Sequence, residues 1–233
     1  AFSSILQQLF NSADVAVVGR FAGDRALAAV GSCVALVGIF VNLIVGFSVG
    51  PNAVLANLIG QKRRDKINRM LHTIMAFGLI AGVILMGLGM LSAKPILEVS
   101  GTPESVMNEA LLYIRIYFIG IPFMMIYNFG SAVLRSFGDT RRPMYYLILS
   151  GTVNVILNLI LVIYFKLGVA GVAIATVISN ILSAGLVLIY LYRREDEFQF
   201  RPQRLHIEKE DLKKVLVIGI PAGIQGATFS ISN

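Results

Sequence analysis

Charge is what this sequence has least of. Only 14% of its 233 residues are Asp, Glu, Lys or Arg, against 56% hydrophobic, and the mean hydropathy is +0.77. A soluble domain carries about 25% charged residues, so the chain lacks the polar surface that water requires. Disorder is excluded by the same arithmetic, because disordered chains are poor in apolar residues. Cysteine is nearly absent: Cys33 stands alone, which rules out an internal disulfide and a cysteine-based metal site. The sequence offers no nucleophile with a base, no metal-ligand cluster and no phosphate-binding loop, so it is not read as an enzyme and no cofactor is expected. A cleavable signal pattern is missing too.

What it has instead is long uncharged runs. Residues 26–61, 116–134, 143–165, 167–192 and 215–233 carry no charge, and 67–93 carries only Arg69. A helix of about 20 residues crosses the ~30 Å hydrocarbon core of a bilayer. The chain therefore reads as an all-α integral membrane protein with seven segments. They span Ala1 to Val18, Val34 to Ile59, Leu71 to Leu91, Leu111 to Leu134, Met144 to Phe165 and Val169 to Tyr192, with a last one from Val215 to Asn233. Both chain ends fall inside apolar stretches and Ala1 is no initiator Met, so a piece of a longer protein is expected. The organisation predicted is a six-helix lobe at 1–193, a cytoplasmic linker at 194–214 and the beginning of a seventh helix at 215–233.

The basic residues are asymmetric. Lys62, Arg63, Arg64, Lys66 and Arg69 follow the second segment, Arg135, Arg141 and Arg142 the fourth. Arg193, Arg194, Arg201, Arg204, Lys209, Lys213 and Lys214 follow the sixth. Only Arg20, Arg25, Lys94 and Lys166 fall on the other side. Positive loops stay inside, which predicts a multi-pass protein of the cell membrane with a cytoplasmic N-terminus. The net charge of +7 is then topogenic, and no nucleic-acid partner is needed to explain it. The restart after the linker suggests a repeat, and Ser230–Asn233 faintly echoes Gln8–Asn11.

Polar residues inside the spans carry the functional signal. Gln7, Asn11 and Asp14 share one helix face, and Asp14 is the only acid well inside any span. A central Asp costs ~2.5–3.5 kcal/mol on insertion scales and is functional by default, the bland alternative being an Asp that reaches the headgroups. Ser150, Asn154 and Asn158 repeat the pattern in the fifth segment, and Thr176, Asn180 and Ser183 in the sixth. Such groups also serve as plain interhelical hydrogen bonds worth ~0.6 kcal/mol. A carboxylate beside amide and hydroxyl oxygens is what a Na⁺ or H⁺ site requires. Gly-rich residues 78–89 read as a packing or lipid-facing helix. Pro51 and Pro122 break the second and fourth spans as kinks or hinges. Gly46 and Gly50 permit close helix contact. Met124, Met125, Tyr127 and Phe129 line an apolar cavity or belong to the core. Arg115 snorkels to the outer interface, and His72 and His206 receive no role.

Several stretches resemble the multidrug and toxic compound extrusion (MATE) family. They are Leu6–Asp14 with Val17–Arg20, Gly46–Gly50 leading to Gly60, Leu134–Met144, and Ile220–Gln225. The resemblance spans the chain. It implies twelve helices in two six-helix lobes, this chain supplying the N-terminal lobe and the first helix of the second. It also implies export of cationic, amphipathic small molecules in exchange for Na⁺ or H⁺, with the C-terminal lobe and the bilayer as partners. The family's cation site falls on Asp14, Asn154, Asn158 and Thr176. Gln7, Asn11, Asn180 and Tyr127 become candidates for lining the cavity. The readings set against it are a lipid-linked saccharide flippase of the same superfamily and a non-transporting membrane scaffold.

Overall fold

The computed structural model describes residues 2–232, apart from the side chains of 2–4, 8, 11 and 229–232. The Ser230–Asn233 echo thus lies outside the described side chains. Apolar runs with few breakers give long helices. Helix α1 (Phe2–Phe21) turns at Gly23, whose φ of 89° suits a residue without Cβ. Helices α2 (Asp24–Phe47) and α3 (Val49–Gly60) form one span. Its break at Ser48 follows from Pro51, which cannot bond the Phe47 carbonyl one turn back. Helix α4 (Arg64–Val99) has 36 residues. At 1.5 Å per residue it is about 54 Å long and projects beyond a ~30 Å core. Helices α5 (Glu104–Ile119) and α6 (Ile121–Ser136) are bent by 42° at Gly120, just ahead of Pro122. Helix α7 (Arg141–Leu159) runs into a π-helical turn (Ile160–Tyr164), and α8 (Gly168–Tyr192) returns. A 3₁₀ turn (Pro202–Arg204) interrupts the linker before α9 (Lys209–Ser232).

Among the described residues four spans are long and apolar enough to cross a membrane, and the bent α5–α6 pair makes a fifth. Helices α1 and α9 have 20 and 24 residues, each long enough to cross, α1 being diluted by Gln7, Gln8, Asn11 and Asp14. The helices begin earlier than the uncharged runs suggest. Helix α2 starts at Asp24 rather than Val34, and α9 at Lys209 rather than Val215, taking in residues first assigned to the linker. Charged ends extend a helix into the headgroup region at little cost, because long cationic side chains reach back to water.

Helices α4, α6 and α8 make the centre. Gly78, Gly82 and Gly89 of α4 leave room for Phe129, Met125 and Phe118, so this face packs. Its other face exposes Leu79, Ile80, Val83, Ile84 and Leu88, as a lipid-facing surface does. In the α6–α7 loop Gly138 takes a φ of 90°. Asp139 there caps α7 by accepting from the Arg142 backbone N–H at 3.1 Å.

Helix α9 lies along α2 and α3. Cβ atoms at Gly46 and Gly50 would run into the α9 backbone at Ala222, Gly223 and Val215, and one at Gly223 into the Phe47 ring. Small residues on both sides thus let two backbones touch.

The linker is strapped to the projecting turns of α4. Asn68 Nδ2 donates to the carbonyls of Glu197 and Gln199 at 3.1 and 2.9 Å. Arg201 N–H donates to His72 Nε2 at 3.1 Å, and Glu208 N–H to Thr73 Oγ1 at 3.2 Å. Arg69 pairs with the buried Asp211 at 3.0 Å. Phe198 and Phe200 are buried, Phe200 stacking on His72. His72, left without a role by the sequence, is a fastening for this strap. Within it the Arg194 guanidinium holds the Asp196 carboxyl below its ordinary value.

Candidate functional site

Three helices bring four polar side chains to one buried point. Asp14 from α1, Asn154 and Asn158 from α7 and Thr176 from α8 are 2%, 3%, 0% and 7% exposed. The two asparagines face inward together because four residues make about one turn. Asn158 ends the last regular turn before the π-helical one, where π-bulges often mark sites. Helix α8 can approach α5 and α6 because Gly120 stands opposite Asn180; a Cβ there would meet Asn180 Nδ2 at 2.9 Å.

The carboxylate is held by hydrogen-bond donors rather than by a cation. Asn158 Nδ2 donates to Asp14 Oδ1 at 2.5 Å, and Thr176 Oγ1 reaches Asp14 Oδ2 at 3.0 Å. Among the described residues no basic side chain pairs with it. The Asn154 amide fits in two orientations. In one, its Oδ1 accepts from Asn158 Nδ2 at 3.3 Å and its Nδ2 donates to Thr176 Oγ1 at 3.2 Å. That orientation sets Oδ1 where, once turned over, Nδ2 donates to Asp14 Oδ1 at 2.9 Å. The turned amide also accepts from the Thr176 backbone N–H at 3.3 Å. Two oxygens 2.9 Å apart repel unless a proton or cation lies between them, so a bare ionised Asp14 takes the turned amide.

Beside these residues lies a cavity of about 40 Å³. Roughly 10–15 Å³ of such volume admits one water, whereas drug-sized ligands need ~300–1,000 Å³. The cavity therefore has room for an ion or a water and not for an organic drug. Gln7, Asn180 and Tyr127 line it, as do Ser150 and Ser183; the side chain of Asn11 lies outside the described residues. Tyr127 is anchored by donating to the Pro143 carbonyl at 2.7 Å. Met124 lines the cavity, while Met125 and Phe129 pack against α4. Gln7 Oε1 and Asn158 Oδ1 are buried without a hydrogen-bond partner among the described residues, two oxygens left over for something electropositive.

Phe10 and Tyr117 also line the cavity and were missed in the sequence. Phe10 sits where a Cβ of Gly151 would be, so that glycine makes room for its ring. An aromatic in an apolar span carries no mark of such a role; the one available hint is a glycine beside Ser150 on the polar face of α7.

Comparison with known proteins gives a consistent picture. The family profile described as MatE matches residues 1–160. The probable multidrug resistance protein YoeA of Bacillus subtilis is 32% identical over 237 residues, covering 99% of this chain and 51% of that protein. The probable multidrug resistance protein NorM of Thermotoga maritima is 28% identical, covering 97% of this chain and 49% of its own length. A crystal structure of MATE in the bent conformation superposes with a TM-score of 0.90 at 26% identity, covering 98% of this chain and 51% of the other. The chain spans about half the length of the curated relatives it matches.

Proposed function

Because the chain belongs to the MATE family, we infer that it serves as the N-terminal half of an exporter. That exporter would move cationic, amphipathic small molecules out of the cell against an inward flow of Na⁺ or H⁺. The observation that carries this reading is the buried carboxylate of Asp14, ringed by amide and hydroxyl groups beside a cavity of about 40 Å³. That volume suits the coupling cation and not the drug. Organic substrate would then bind elsewhere, between this half and the other.

Coupling follows from the ring of polar atoms. With Asp14 bare, Asn154 turns its Nδ2 toward the carboxylate. A cation or proton on Asp14 reverses the preference, since Asn154 Oδ1 can then stand beside the neutralised group as ligand or acceptor. Occupancy is thereby felt on α1, α7 and α8 together. A ligand shifts a conformational equilibrium only by its differential affinity for the two states, and an amide that must rotate supplies such a difference. The excess of basic residues at one end supports a cytoplasmic N-terminus.

The test is Asp14→Asn in the full-length protein reconstituted in vesicles. It keeps the size and removes the charge, so drug efflux driven by a Na⁺ or pH gradient should be abolished while the protein stays folded in the membrane. Efflux at the wild-type rate with unchanged dependence on both ions would refute the assignment.

A further inference from the structure

A second cavity lies at the opposite end of the chemistry, between the C-terminal turns of α3 and the first turns of α9. Its volume is about 510 Å³. We propose that it binds the phosphodiester headgroup of an anionic membrane phospholipid.

The polar wall is basic. Arg63, Lys66 and Lys214 line it together with Asn57 and Gln61, and among the described residues no carboxylate does. Lys214 shares Asp211 with Arg69, at 3.2 and 3.0 Å, so two cations meet one acid there. Arg63 and Lys66 make no ion pair among the described residues, the neighbouring Arg64 alone reaching Glu197. The left-handed turn at Lys62, φ 55°, brings both round beside α3. Gln61 Nε2 donates to Asn57 Oδ1 at 2.6 Å, which fixes the two amides and leaves the Asn57 amide N–H groups for a ligand oxygen.

A second feature also favours an anion. Arg63 directly precedes α4 and gives it no side-chain cap. The first N–H groups of a 36-residue helix stand beside the pocket, and such an end attracts phosphate oxygens.

The rest of the wall decides between a soluble anion and a lipid. Val54, Leu58 and Ile218 are apolar, and Ile218 is 39% exposed. A free phosphate would leave Ile218 and the half-buried Ala53 wet. A lipid would lay its glycerol and the start of an acyl chain on them while its phosphate met the cations. Basic pockets between transmembrane helices at this level are built for anionic headgroups. Bound there, one lipid would touch α3 and α9 at once, joining the two helices across the linker.

Full-length protein in neutral detergent, titrated with dioleoyl phosphatidylglycerol or dioleoyl phosphatidylcholine and read by native mass spectrometry, tests this. Phosphatidylglycerol should bind in preference, and Arg63→Gln with Lys66→Gln should weaken it about tenfold without affecting phosphatidylcholine. Arg115→Gln, at the other membrane face, should leave the preference intact. Arg63 is exposed and Lys66 half-buried, and Lys66→Gln alone should show a smaller loss of the same sign. Equal binding of the two lipids, or an unchanged preference in the double variant, overturns the proposal. So does glycerol 3-phosphate binding as tightly as phosphatidylglycerol, since the site would then serve a soluble anion.

Discussion

Burying a carboxylate without a counter-charge costs several kcal/mol even after the surroundings relax, and a hydrogen bond to a charged group returns about 1.5–3 kcal/mol. Asn158 and Thr176, with or without Asn154, therefore bring an ionised Asp14 near break-even, which is where a small ligand can tip a balance. Thr176→Ala removes one donor and one oxygen ligand. If H⁺ is the coupling ion, protonation of the less supported carboxylate becomes easier and the transport profile moves toward higher pH. If it is Na⁺, a lost ligand raises the concentration needed for half-maximal transport. Either displacement should be roughly tenfold, and Thr176→Ser should reverse it. A Thr176→Ala protein with both ion dependences unmoved would remove Thr176 from the site. Residues of this kind were legible beforehand because a polar group in a twenty-residue apolar run is conspicuous. Phe10 and Tyr117 were not, because a ring facing a cavity and a ring in a core look alike in sequence.

Among the elements, the contact of α9 with α2 and α3 is the one that single atoms decide. A Cβ at Gly46 has no room against the α9 backbone, whereas one at Gly31, on the same helix, meets nothing within 4 Å. Gly46→Ala should therefore destabilise by about 1–3 kcal/mol, as overpacking does. Gly31→Ala should be neutral or stabilising by up to ~1 kcal/mol from helix propensity. Thermal unfolding in detergent would compare them, and equal midpoints would show that the seam is looser than drawn. Gly46 and Gly50 were visible in the sequence, but their spacing is too common to name a partner. What singles them out is the Gly219–Gly223 pair across from them, and pairing two such motifs takes three dimensions. The helical segments themselves were legible in order, though five of them, counting the bent α5–α6 pair as one, stand out as membrane spans among the described residues. Their starts were not, because α2, α4 and α9 continue through Asp24, Arg64 and Lys209, and charge marks the bilayer's edge rather than the helix's end.

Across the whole molecule, fifteen of the twenty basic residues gather in the loops after α3, α6 and α8 and in the helix turns that flank them. A cysteine at position 65, with Cys33 replaced by serine, should resist an impermeant maleimide in intact cells and react once the cells are opened. Labelling in intact cells would invert the topology. The strap from Arg193 to Glu208 leaves little slack between α8 and α9, since Asn68, His72 and Thr73 pin it at both ends. The same arrangement bears on how the protein is made. Synthesis runs from the N-terminus, so α2, α3 and α4 are complete before residue 209 is added. When α9 is released into the membrane, its glycine seat and the strap that aims it already exist. The glycine seat thus acts as a template in time: it decides where α9 stands as that helix emerges.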